Sequence, residues 1–140
     1  MMLVVDTSAL SRLMRADAVA LAHAAEHRPG ELFVVPPVAA EIQFGIARLP
    51  AGSSRARLLG AQYRRWRALL RWLEWTEGAS AAFAEHKADL EVRGLLVDDM
   101  DIAVAAIAME HQCGVATCNA RHFTRIQRLR VADWAVAVRH

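Results

Sequence analysis

The sequence predicts an α/β fold, a three-layer αβα sandwich around a short and mainly parallel sheet. Three observations carry this. Short apolar, β-branched runs (Leu3 to Val5, Leu32 to Val35, Val115 to Cys118) alternate with longer helix-forming stretches. The chain has 140 residues, which suits one domain with one core, spanning residues 1–140. Hydrophobic residues make up 55% and charged residues 23%, a globular and not a disordered composition.

The elements follow in order. Leu3 to Val5 reads as a buried strand that runs into Asp6. Thr7 or Ser8 is the expected cap of a helix reaching about Arg15. A second helix, about Asp17 to His27, stops at Pro29-Gly30. Leu32 to Val35 is the second strand, and Pro37 suits the first turn of a helix to about Leu49. After the loop Pro50 to Ser54, an arginine-rich helix is expected to about Leu73, with Trp75 in a short strand. A helix over Ala79 to Arg93 is broken by Gly94. Asp98-Asp99-Met100-Asp101 opens the next helix, with Gly114 as its expected C-terminal cap. A third strand, Val115 to Cys118, precedes Asn119, a short helix from Ala120 to about Ile126, and a last strand near Leu129 to Ala132.

Several function classes are excluded early. No apolar stretch approaches the roughly 18 residues of a membrane helix, and Asp6 interrupts the only apolar run at the start. A cytoplasmic setting is the expectation. Cys113 and Cys118 are separated by four residues with no second pair, so a zinc site is not predicted and both read as small apolar residues. The six histidines are scattered without HExxH-type spacing, and there is no GxxxxGK[ST] or GxGxxG turn.

The acidic residues are more informative. A carboxylate at the end of a buried strand is costly unless it is paired, capped or metal-bound. Ligands of parallel sheets bind at the carboxyl ends of the strands, and both Asp6 and Asn119 immediately follow a strand. Glu41 lies about one turn into the helix after the second strand, beside the apolar Val38 and Ile42. Asp101 lies in the first turn of its own helix. Taken singly, each is explained by capping, by the helix dipole or by surface exposure. Taken together, three carboxylates from three elements starting at one sheet edge suit a hard cation such as Mg2+ or Mn2+. The net charge is only +2, yet Arg55 to Arg71 holds six arginines and no acid. This run reads as a solvated face, a polyanion contact or a partner-helix groove.

The stretches LVVDTSAL, PPVAAEIQFGI, DDMDIAVAAIAMEHQCGVATCNARHF and RHFTRIQRLRVADW resemble, in order and over nearly the whole chain, the PIN-domain ribonucleases, most closely the VapC-like toxins of type II toxin–antitoxin operons. The resemblance implies an endoribonuclease dependent on Mg2+ or Mn2+. It carries catalytic positions onto Asp6, Glu41, Asp101 and Asn119. Asp6 and Asp101 are the implied metal ligands, and Glu41 acts directly or through water. The family often has Asp where this chain has Asn119, which leaves one or two metal ions open. Thr7, Ser8, Thr117 and Asp99 are expected to support the ligands, with Asp101 favoured over Asp99 as ligand because a first-turn residue is held more rigidly than a loop residue. Arg64, Arg67, Arg71 and Arg121 are expected to touch the RNA backbone. The implied partners are an RNA substrate (tRNA or another structured RNA), a cognate antitoxin and a second copy of the chain.

Two rivals differ in class. A strand-end Asp is also the nucleophile of phosphatases, but their DxD motif lacks its second acid in Asp6-Thr7-Ser8. A degenerate PIN-like module that binds RNA or a partner without cleaving is the alternative that Asn119 keeps open.

Overall fold

The computed structural model describes residues 1–139. The elements are β1 (Leu3–Val5), α1 (Thr7–Met14), α2 (Ala18–Ala25), a 3-10 turn (Pro29–Glu31), β2 (Leu32–Val34), α3 (Pro36–Ala47), α4 (Ser54–Leu69), β3 (Arg71–Trp72), α5 (Glu77–Val92), α6 (Asp99–Glu110), β4 (Gly114–Thr117), α7 (Ala120–Phe123) and β5 (Val131–Asp133). The strands form one sheet in the order β3-β2-β1-β4-β5, every pair parallel. This is the predicted α/β class with helices against the sheet.

The order of strands positions everything that follows. The chain moves outward from β1 to β2 and β3, then returns through α6 to place β4 on the other side of β1. The crevice at the carboxyl ends of β1 and β4 is therefore a topological switch point. Val4, Val5, Val115 and Ala116 are fully buried in the middle of the sheet. Helix α6 is buried from Ile102 to Ala108, an all-round apolar helix at the centre of the core. It runs antiparallel to the strands, so its first turn stands at their carboxyl edge.

Several boundaries differ from expectation for physical reasons. Helix α4 ends at Leu69, and the strand after it is Arg71–Trp72, not Trp75. This edge strand has two residues that are not buried, so no apolar period marks it. The last strand lies at Val131–Asp133, two residues later than expected. Helix α6 is closed by Gln112, whose φ of 59° takes the left-handed conformation. Gly114 instead begins β4, where a Cβ would stand 3.0 Å from the Arg130 carbonyl oxygen. It is a close-packing glycine and not a cap. Gly94, with φ of 70°, does end α5 as expected.

Candidate active site

Asp6 caps α1. Its Oδ1 accepts from the Ala9 amide at 2.8 Å and from Ser8 Oγ at 2.7 Å. The expected cap, Thr7 or Ser8, is therefore corrected to Asp6. A carboxylate has two oxygens, and one suffices for the helix end. The other, Oδ2, accepts from Thr117 Oγ1 at 2.6 Å, across from β1 to the end of β4. The Asp6 amide in turn donates to the Ala116 carbonyl at 2.9 Å. Asp6 is 4% exposed. Burial pushes its carboxyl above the ordinary value, the bonds from Thr117, Ala9 and Ser8 pull it back, and the Glu41 charge pushes it up again.

The hydroxyls form a scaffold around this carboxylate. Thr7 Oγ1 donates to Glu41 Oε1 at 2.7 Å, tying α3 to the start of α1. Ser8 Oγ accepts from the Cys118 amide at 2.9 Å, and Thr117 Oγ1 accepts from the Asn119 amide at 2.9 Å. Thr7, Ser8 and Thr117 thus fix acidic side chains and the strand end together.

Asp101 enters from α6. Its carboxyl is pushed up to about 6, first by burial and then by the negative charges of Asp6 and Asp98, while His122 pulls it down. His122 Nδ1 lies 3.4 Å from Asp101 Oδ2. Asp98 caps α6 through the Met100 amide at 2.8 Å. Asp99 turns outward to Lys87, 3.0 Å away, and takes no part in the cluster. His122 escaped sequence reasoning because a single histidine has no informative spacing. The available signal was its place one turn after Asn119, on the element that follows β4.

Asn119 sits at the carboxyl end of β4, exposed. With Arg121 and His122 it lines a pocket of about 430 Å³ that also includes Asp133. The structure does not bring Arg64, Arg67 or Arg71 to this edge. Arg64 lies exposed midway along α4. Helix α4 runs against the strand direction, so its later residues approach the amino edge of the sheet. The Arg67 guanidinium stacks 4.4 Å from the Trp72 ring. Arg71 lies over Phe33 and donates to the Gly30 carbonyl at 3.4 Å, ahead of β2.

Among the described residues no three His, Cys, Asp or Glu side chains stand as a preformed metal-binding group. The donors nevertheless fit a hard divalent ion. Mg2+ keeps several of its own waters and needs only one or two carboxylates. Asp6 and Asp101 are two such groups, each destabilised as an anion by burial and by negative neighbours. Bringing a cation to them relieves both.

No curated protein matches the sequence. Solved structures do match the fold. The chain is similar to VapBC2 from Rickettsia felis bound to a promoter DNA fragment, with 18% identity, TM-score 0.84, and coverage of 96% of this chain and 99% of that one. It is similar to FitAcB from Neisseria gonorrhoeae, with 21% identity, TM-score 0.79, and 96% and 99% coverage. It is also similar to VapBC-5 of the VapBC toxin–antitoxin family from Mycobacterium tuberculosis, with 19% identity, TM-score 0.71, and 97% and 98% coverage. At such identities the likeness is one of fold. The PIN-domain family model matches residues 3–129, nearly the full chain, a span that includes Asp6, Glu41, Asp101 and Asn119. On that match, the chain belongs to the PIN-domain family.

Proposed function

We propose that this chain is a Mg2+- or Mn2+-dependent endoribonuclease, the toxin of a toxin–antitoxin pair. The observation that carries the reading is the convergence of Asp6, Glu41 and Asp101 on the switch point between β1 and β4. Asp6 and Asp101 would hold the divalent ion, with Glu41 beside them directly or through water and Asn119 able to add only a neutral oxygen. Bound there, the ion polarises a phosphodiester and lowers the pKa of water. The protein's own part is positional. Thr117 and Ala9 hold the two oxygens of Asp6 in fixed directions, and Thr7 holds Glu41. Arg121 stands on the pocket wall beside Asn119, where a phosphate of the substrate would pass.

The toxin–antitoxin assemblies among the fold neighbours support a cognate antitoxin as partner. An RNA substrate, a homodimer and a cytoplasmic setting belong to the same proposal. Among the described residues no helix is long and apolar enough to cross a membrane.

The test is cleavage of a mixed RNA pool by the pure protein over a Mn2+ titration, followed by sequencing of the new 5′ ends. Defined ends that appear with Mn2+ and vanish with EDTA are expected. Binding without new ends at any Mg2+ or Mn2+ level would instead assign a non-cleaving PIN module.

Metal affinity should depend on pH with a definite sign. The Asp101 carboxyl holds its proton up to about 6, and a metal must displace that proton. Apparent Mn2+ affinity is therefore expected to be flat above about pH 7. Below about pH 6 it should fall roughly tenfold per unit for one displaced proton. Isothermal titration checks this, and affinity that is constant down to about pH 4.5 contradicts it.

A further inference from the structure

Beside Asp101 stands an imidazole. His122 lies in α7, on the far side of β4 from the acidic helix starts, and its side chain is 56% exposed. Its Nδ1 is 3.4 Å from Asp101 Oδ2, the only ion-pair contact that Asp101 makes among the described residues. The other polar groups of this edge are already engaged. Asp98 caps α6, Asp99 turns to Lys87, and Thr7 holds Glu41. Both oxygens of Asp6 accept hydrogen bonds. Across the pocket from His122, Asp133 accepts from the Ala135 amide at 2.9 Å. Asp101 and His122 are thus a carboxylate and an imidazole, from different elements, brought face to face with little else to hold them.

Their separation suits a shared ion better than a direct bond. Charge-assisted N–H···O bonds close to about 2.7–2.9 Å, and this pair stands well beyond that. Two atoms that each bind one ion at about 2.1 Å are about 3.0 Å apart at the corners of an octahedron and about 3.4 Å apart in a tetrahedron. We propose that His122 is a nitrogen ligand of the divalent ion, forming with Asp101 a mixed nitrogen–oxygen site that selects Mn2+ over Mg2+. The inference rests on the reading of Asp6 and Asp101 as metal ligands, and it adds a ligand and a metal preference to that reading. Mg2+ is a hard ion that keeps oxygen ligands and its own waters, so an imidazole adds little to its binding. First-row transition ions gain from imidazole nitrogen. The ring is exposed, so it can turn onto an ion without opening a gap in the core. The neighbouring Arg121 has no lone pair to offer a metal.

The experiment uses the full chain with its histidines labelled with 15N, loaded with substoichiometric Mn2+ at about pH 8, where imidazole and carboxylates are free of protons. Pulsed electron paramagnetic resonance should show coupling of Mn2+ to a directly bound 15N nucleus. His122→Ala should abolish that coupling. Calorimetric titration of the same variant should show Mn2+ affinity lowered at least tenfold and Mg2+ affinity lowered by no more than about threefold. The substitution is exposed and Ala favours helix, so the variant should melt like the parent in EDTA. Three results overturn the proposal. They are a parent spectrum without histidine coupling, coupling that persists in His122→Ala, and an equal loss of affinity for both metals, which would make His122 a support for Asp101 and not a ligand. The two readings fail separately. Histidine-bound Mn2+ without Mn2+-dependent RNA cleavage sinks only the nuclease assignment. Mn2+-dependent cleavage by a protein whose Mn2+ shows no histidine coupling sinks only the nitrogen ligand.

Discussion

Asp6→Asn should abolish Mn2+-dependent cleavage, by at least about 100-fold, without lowering the melting temperature. A metal's charge stabilisation of the transition state is worth several kcal/mol, and each 1.36 kcal/mol of barrier is about tenfold in rate. The stability half of the prediction follows from the two roles of the carboxylate. Asn caps helices as well as Asp, so an amide oxygen continues to accept from Ala9. The Nδ2 group then donates to Thr117 Oγ1, which reverses the present bond. The buried negative charge disappears, together with its repulsion from Glu41. Asp6→Ala behaves differently. It loses the cap, at about 1 kcal/mol, and leaves buried donors unmatched, at about 1–3 kcal/mol. Thermal melts in EDTA should therefore rank Asp6→Asn at or above the parent and Asp6→Ala below it. An Asp6→Asn protein that cleaves at the parent rate would remove Asp6 from the site.

The largest structural loss is expected at Trp134. The ring is 1% exposed and stacks on His23 with centroids 5.7 Å apart and planes 7° from parallel. Its amide donates to the Thr117 carbonyl at 2.8 Å, so the residue that closes β5 also pins the strand end holding Asp6. Trp134→Ala should cost about 3–5 kcal/mol, as for large-to-small changes in a core. For a domain of this size that lowers the melting temperature by about 8–15 °C. Trp134→Phe keeps most of the apolar volume and should lose markedly less. Urea titrations of the three proteins give the comparison, and equal midpoints would mean that this C-terminal packing contributes nothing to the core.

How much of this was legible in the sequence depended on burial. The central strands were found because every residue of β1, β2 and β4 is buried, and a short β-branched run has few other uses. The edge strands β3 and β5 are short and partly exposed; nothing periodic marks them, and they were misplaced by a few residues. The approach of Asp6, Glu41 and Asp101 to one sheet edge was legible from topology, since Asp6 follows β1, Glu41 lies about one turn into the helix after β2 and Asp101 lies in the first turn of α6. The sequence pattern points to Thr7 or Ser8 as the cap of α1, whereas the two oxygens of Asp6 let one carboxylate cap the helix and face the sheet edge at once. His122 was invisible for a different reason: it belongs to α7 and meets Asp101 of α6 only through the fold, which a lone histidine in the sequence does not reveal.

The bond between Asp6 and Thr117 spans 111 positions of sequence and joins neighbouring strands. Chains emerge from the ribosome amino end first. Asp6 is made before Thr117, so its second oxygen lacks this partner until β4 has been synthesised and has slotted beside β1. A nascent or truncated chain that stops before Thr117 carries Asp6, Glu41 and Asp101 but lacks the strand that organises them. The order of synthesis therefore sets an order of assembly: the second support of Asp6 forms only after β4 has been made.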